Sequence, residues 1–574
     1  MRRIATLSLC ASALLIARAH ANDLYARGAH GAVVSAHPAA SKVGLEVLRA
    51  GGNAVDAAVA VGFALAVTHP QAGNLGGGGF AVVFMHEQGE TLALDFRERA
   101  PRAASRDMYL DADGKVVRDA SLWTARAAGV PGSPKGLCEL HAKFGTRPLA
   151  ELLAPAIRLA REGFEVCHFL HHSIRAKHKI LALWPETARI FLPGGEPLAQ
   201  GALLKQPELA KTLERIAEHG AKGFYEGETA EHLIAAMRQH DGLIDAQDLR
   251  EYHVVERQAL RASYRGHPVL AMPPPSSGGI AVLQMLQFVE PYDVGRIGFG
   301  SSRGLHLRIE AMRRAFADRA KWLGDSDYFP VPIQGLIDRK YAAQRRKSFD
   351  WAQATPRVRA GSPQGAPDLE DAPGQRRESK DTTHYSVVDT FGNAVSITTT
   401  INSSFGNGQV VKGAGFFLNN EMDDFSAKPG VPNQFGLVGA KANEIQPGKR
   451  PLSSMSPTIL LSKDGKRPYL VLGSPGGSRI INTTFQVILN VVDHELGIRD
   501  AVAAPRIHHQ WLPRALYWER LALPFDVREA LIALGHPIQE KPRVIGRCQA
   551  IWIPEPGRVE AMADPRSGGA ASAW

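Results

Sequence analysis

Apolar residues recur at three- and four-residue steps over 149–162, 207–218, 228–239, 280–288 and 301–322, which predicts a run of helices through the middle of the chain. Residues 42–49 carry the same step and stop at Gly51-Gly52, whereas 56–67 is apolar almost all round and predicts a helix buried on every side. Strand texture brackets this helical middle. Short β-rich runs at 31–35, 81–84 and 92–96 precede it, apart from one strand signal leading into Met272. Runs at 382–388, 394–400, 415–418, 458–461, 469–472, 548–553 and 559–563 follow it, with a further helix at 480–492. Pattern alone gives an α/β or α+β fold.

Where the texture changes, the chain carries its most informative residues. Residues 354–380 are rich in Pro, Gly, Arg and acids and have little with which to build a core; they run into a strand at Thr382. That junction suits a chain that cuts itself and uses the new terminus. The strands 382–388 and 394–400 flank a five-residue turn, and a hairpin symmetric about Phe391 sets Thr400 opposite Thr382, with Cβ atoms about 5 Å apart. The glycines at 76–79 resemble a phosphate loop only superficially: the Gly-Lys-Ser/Thr ending is absent and a strand follows where a helix should. Close backbone packing is the better reading. Residues 273–279, PPPSSGG, form a stiff turn ahead of a helix.

With 574 residues, 44% hydrophobic and 22% charged, the chain is an ordinary globular protein. Residues 1–21 have the form of a secretory signal: Arg2 and Arg3, an apolar stretch over 4–16 too short to span a bilayer, and Ala19-His20-Ala21 before Asn22. No later run approaches a membrane span. The exported chain keeps Cys138, Cys167 and Cys548, enough for one disulfide at most and wrongly spaced for zinc. Its formal charge of +10 falls to +7 once Arg2, Arg3 and Arg18 leave, because residues 1–21 contain no acid. Lysines and arginines are scattered without interleaved aromatics, which argues against nucleic-acid binding.

Seven stretches, in order, resemble the γ-glutamyltranspeptidase (glutathione hydrolase) family of the N-terminal-nucleophile superfamily. They are GNLGGGGF at 73–80, LDFRERAP at 94–101, PPPSSGG at 273–279, TTHYSVVD at 382–389, NNEMDDFSAKPG at 419–430, RPLSSMSPT at 450–458 and GSPGGSRI at 473–480. The resemblance implies a four-layer αββα sandwich of α+β class, built jointly by two fragments of one precursor. It implies a cut at Asp381-Thr382, a large subunit of 22–381 ending in a flexible linker from about 354, and a small catalytic subunit of 382–574. Asp381, charged just before the cut, is less usual and bears on the rate of maturation.

Carried onto this sequence, the family's chemistry makes Thr382 the nucleophile, with its freed α-amino group as base and Thr400 orienting the hydroxyl. A threonine hydroxyl is a weak nucleophile without a base, and an α-amino group with a pKa of about 8 suits that task. Arg97, Ser453 and Ser454 are expected to bind the α-carboxylate of a γ-glutamyl donor, and Asn402, Glu421 and Asp424 its ammonium. Gly476 and Gly477 are expected to supply the oxyanion hole. The implied partners are glutathione and other γ-glutamyl compounds, with water, an amino acid or a dipeptide as acceptor; no cofactor or metal is implied. A metal site at Glu421, Asp423 and Asp424 is the rival reading of those acids. Phe435 replaces the tyrosine that gates the lid in many bacterial members, which implies a looser lid without a hydroxyl bond toward Asn402. Two alternatives stand beside this function: an acylase of the same superfamily acting on glutaryl β-lactams, and an uncleaved, inactive γ-glutamyl-binding protein.

Overall fold

Alternation along the strands sorts the side chains of this protein into three apolar layers. The computed structural model describes residues 24–367, 369, 382–426 and 441–574. One seven-stranded antiparallel sheet runs, edge to edge, Ala570–Ala573, Ala32–Ser35, Thr383–Val388, Ala394–Thr400, Gly78–Met85, Glu90–Phe96 and Val255–Arg257. The other runs Tyr25–Gly28, Arg558–Ala563, Gln549–Glu555, Pro468–Gly473, Thr458–Leu461, His267–Ala271 and Leu260–Tyr264. Phe80, Val82 and Phe84 face Leu270, Ile459 and Val471 between the sheets, while Ala81, Val83 and Met85 face outward into helices. On the second sheet Val269, Leu460 and Leu470 do the same on the opposite side.

Helices close both outer faces. Pro38–Arg49 and Ala54–Thr68 belong to the core on the first sheet, and Gly278–Val289, Ser302–Trp322 and Arg479–Val492 to that on the second. The result is the expected αββα sandwich. Ala54–Thr68 is buried at every position, as its all-round apolar sequence requires. It starts where Asn53 and Asp56 form a reciprocal capping box, so its first amides are satisfied although they are buried. Each Val or Leu sealed in these layers contributes about 1.5–3 kcal/mol.

Both sheets combine strands from before and from after residue 381. Ala32–Ser35 lies between Ala570–Ala573 and Thr383–Val388, and Tyr25–Gly28 borders Arg558–Ala563. The glycines at 76–79 answer to crowding: a Cβ on Gly76 would overlap the Phe417 carbonyl, one on Gly77 the Thr400 carbonyl, and one on Gly79 the Thr398 carbonyl. None of them has positive φ, so room rather than backbone freedom is what they supply.

The structure departs from the pattern in places. Residues 415–418 make only isolated bridges, Phe417 to Val410 and Leu418 to Gly76, because Gly413 and Gly415 turn the chain at φ 81° and 76°. Leu260–Tyr264, Tyr25–Gly28 and Ala570–Ala573 are strands with no strong sequence signal. The start of the segment read as a linker is held in place: Gly361 N donates to Asp318 at 2.8 Å and Trp322 Nε1 donates to the Gly361 carbonyl at 3.0 Å. Cys138, Cys167 and Cys548 are all free thiols. The signal segment 1–21, Asp381 and Phe435 lie outside the described residues. Among the described residues no helix is long and apolar enough to cross a membrane.

Candidate active site

Strand register brings the site together. Thr383 pairs with Thr399, as a hairpin symmetric about Phe391 demands, so Thr382 and Thr400 meet one step beyond; their Oγ1 atoms are 3.4 Å apart. Thr400 pairs with Gly78, and Phe96 pairs with Gly79, so Arg97 leaves its strand at this same end. In the facing sheet Thr458 pairs with both Ala271 and Leu472. The loops 272–277, 450–457 and 474–478 therefore gather at one end too.

The two sets of loops border a small cavity lined by Arg97, Arg319, Thr382, Thr400, Asn402, Glu421, Asp424, Ser453, Ser454 and Gly477 among others. Nearly every residue expected at the site is there. Gly477, at φ 58°, lines the cavity and Gly476, at φ 130°, stands beside it. Asp423 turns elsewhere and accepts a hydrogen bond from Ser121 Oγ at 2.7 Å, so the three acids weighed as a metal site do not converge.

Arg97 is fully buried and heavily engaged. Its Nη1 lies 2.5 Å from Glu421 Oε1 and 3.4 Å from Glu98 Oε2, its Nη2 is 2.6 Å from Asp424 Oδ2, and its Nε donates to the Pro451 carbonyl at 3.2 Å. The groups expected to hold opposite ends of a donor are thus paired with each other. Burial opposes the charge of Arg97, but Glu421, Glu98 and Asp424 outweigh it and hold the guanidinium protonated. Burial also raises the acids against the pull of Arg97: Glu98 is pushed up to about 7, and Glu421 and Asp424 are raised as well. Three carboxyls around one guanidinium hold their protons more tightly than ordinary carboxylates do, Glu98 and Glu421 most of all.

On the cavity wall Asn402 Oδ1 has no partner among the described residues, and Glu421 Oε2 has none apart from the neighbouring carboxyls of Glu98 and Asp424. Asn402 is held rigidly for this, at φ 69°, with its N–H donating to Thr400 Oγ1 and its Nδ2 to the Asn420 carbonyl, both at 2.8 Å. Buried acceptors without donors are costly, and a ligand carrying several N–H groups relieves both at once.

Ser453 and Ser454 are held by residues that the sequence reading left without a role. The Ser453 carbonyl accepts from Ser277 N at 2.7 Å and from Ser277 Oγ at 2.6 Å, and Ser453 N donates to the Pro275 carbonyl at 2.9 Å. Ser454 Oγ accepts from Arg319 Nη2 at 3.3 Å. Ser277 and Glu98 lie inside quoted motifs, so proximity to the named residues was the available signal. Arg319 has no such local marker.

Behind Thr382 the space between the sheets turns polar. Ser386 Oγ donates to the Gln549 carbonyl at 3.3 Å, so His384 Nε2–H donates to Ser386 at 3.0 Å and Nδ1 accepts from Thr398 Oγ1 at 2.8 Å. A Cβ on Gly473 would overlap this ring. Burial lowers the His384 pKa to about 3, and that of His508 likewise to about 3. Since the folded values lie below the unfolded one, the contribution is complete above about pH 6.5 and is lost as pH falls, by about 1.4 kcal/mol per histidine per pH unit. Thermal melts between pH 7.5 and 4.5 are expected to show a steady fall in Tm below about pH 6, shallower for His384→Gln; a Tm independent of pH would contradict this.

Residues 40–574 match the family described as Gamma-glutamyltranspeptidase. The chain is 46% identical over 542 residues to a glutathione hydrolase proenzyme of Escherichia coli (strain K12), covering 94% of this chain and 91% of that one. A cephalosporin acylase from Bacillus halodurans superposes with a TM-score of 0.83 at 29% identity, covering 96% of this chain and 97% of the other. The Helicobacter pylori gamma-glutamyltranspeptidase superposes with a TM-score of 0.56 at 42% identity; the match covers 94% of that solved chain but only 57% of this one. Motif order, strand register and the shared sequence agree, and the chain belongs to the gamma-glutamyltranspeptidase family.

Proposed function

We propose that this protein is an exported proenzyme that cuts itself before Thr382 and then acts as a glutathione hydrolase and γ-glutamyltransferase. In maturation the Thr382 hydroxyl attacks the carbonyl carbon of residue 381, the peptide nitrogen leaves as the new α-amino group, and water opens the resulting ester. The products, 22–381 and 382–574, stay together as a heterodimer. In turnover the α-amino group takes the Thr382 hydroxyl proton as Oγ1 attacks the γ-amide carbon of the donor. N–H groups at Gly476-Gly477 receive the oxyanion, where one donor is worth about 3 kcal/mol. The amine leaves with a proton, cysteinylglycine in the case of glutathione, and the γ-glutamyl ester on Thr382 passes to water or to an amino acid or dipeptide.

The observation that carries this reading is the meeting, in one cavity, of Thr382 with Thr400, a guanidinium at Arg97 and a set of acids opposite. The likeness to a cephalosporin acylase raises a second reading, in which the donor is a glutaryl amide. Asn402 Oδ1 and Glu421 Oε2 argue against it, because a glutaryl chain has no ammonium to offer those acceptors. Purified protein incubated with glutathione is expected to release glutamate and to show a fragment with an N-terminus at Thr382 by mass spectrometry. One uncut band without release would overturn the proposal, and faster turnover of a glutaryl amide would favour the acylase.

A further inference from the structure

The helix Ser302–Trp322 crosses the core behind the site and carries several buried charges. Arg313 and Arg314 share Glu310, at 2.6 and 2.5 Å. Arg319, only 4% exposed, differs: no carboxylate among the described residues lies within ion-pair distance of it. Its Nε donates to Ser277 Oγ at 2.9 Å and its Nη2 to Ser454 Oγ at 3.3 Å, both neutral hydroxyls, and its Nη1 donates to no described residue. The side chain lines the same cavity as Thr382. A buried cation bonded only to hydroxyls, with Asp424 acting on it from beyond ion-pair distance while paired to Arg97, is unfavourable unless an anion comes to it. Arg97, the other cation of the cavity, already faces Glu421, Asp424 and Glu98.

We propose that Arg319 is a specificity-determining residue whose guanidinium, together with Ser453 and Ser454, receives the α-carboxylate of the γ-glutamyl donor. This rests on the γ-glutamyl reading of the site. A zwitterionic donor then leaves no charge unmatched: its ammonium takes Asn402 Oδ1 and the acids, and its carboxylate takes a place between Arg97 and Arg319. Ser277 is a positioning residue in this arrangement, since the one side chain bonds both the Ser453 carbonyl and Arg319 Nε. The turn 273–279 thereby gains a purpose beyond starting a helix.

The test compares two p-nitroanilide donors on the processed enzyme, the γ-glutamyl compound and the 4-aminobutyryl compound that lacks only the α-carboxylate. Arg319→Met is expected to raise KM for the γ-glutamyl donor by about 20-fold, with kcat changed by less than about 3-fold and kcat/KM for the 4-aminobutyryl donor nearly unmoved. Arg319→Lys, which keeps the charge, is expected to fall between, and it carries the same comparison should Arg319→Met not accumulate folded. Equal losses on both donors would reduce Arg319 to structural support, and unchanged KM would remove it from the site; either overturns the assignment while the proposed function stands. A wild-type enzyme unable to turn over the γ-glutamyl donor would overturn that function, and this assignment with it.

Discussion

Thr382→Ala is expected to give one band of full length on a denaturing gel, an unbroken 381–382 bond by mass spectrometry, and γ-glutamyl turnover reduced at least about 10⁴-fold. Two losses combine. Without the hydroxyl no ester forms with residue 381, so the α-amino base is never freed; without the hydroxyl there is also no acceptor for the γ-glutamyl group. Thr382→Ser separates them. Serine keeps the oxygen that faces Thr400 Oγ1 and should cut and turn over, more slowly because it loses the methyl that restricts the threonine rotamer. A Thr382→Ala protein that still appears as two fragments, or still hydrolyses glutathione, would place the nucleophile elsewhere.

Arg97→Lys is expected to cost about 10²–10³-fold in kcat/KM for γ-glutamyl donors. The guanidinium spans Glu421, Asp424 and the Pro451 carbonyl at once through three different nitrogens. An ammonium concentrates its charge at one point and cannot span them. Arg97→Met goes further, leaving the buried Glu98 and Glu421 and the partly buried Asp424 without their shared counter-charge, and a loss of about 3–5 kcal/mol in stability is expected from breaking such a cluster. Kinetics for the lysine variant and thermal melts for the methionine variant check the two parts. Unchanged kcat/KM in Arg97→Lys would mean that the arginine serves the fold alone.

The hairpin register was legible because a period of two and a short turn leave a single solution, and that solution sets Thr400 beside Thr382 from the sequence alone. The glycines at 76–79 were legible as close packing, though their reason is crowding by carbonyls rather than positive φ. The strand expected at 415–418 was misleading: its apolar residues are buried, but the flanking Gly413 and Gly415 bend the backbone away from a ladder. Arg319 was hidden because Ser302–Trp322 buries polar and apolar residues alike, and a charged residue on a helix reads as solvated until its surroundings are known. The direct pairing of Arg97 with Glu421 and Asp424 was equally out of reach, since it depends on where a loop more than three hundred residues away comes to rest.

The interleaving of strands bears on how the mature protein meets denaturation. Strands from the two sides of residue 381 pair with one another five times: Ala32–Ser35 with two partners, Tyr25–Gly28 with Arg558–Ala563, Gly78–Met85 with Ala394–Thr400, and His267–Ala271 with Thr458–Leu461. In the precursor all these ladders form within one molecule. If the bond before Thr382 is cut as proposed, the same architecture would have to be recovered by two separate chains finding each other, each lacking three or four of the seven strands of each sheet. On that proposal folding comes before cutting, and the cut would discard the means of refolding. What then keeps the enzyme active is the height of its unfolding barrier, a lifetime rather than an equilibrium.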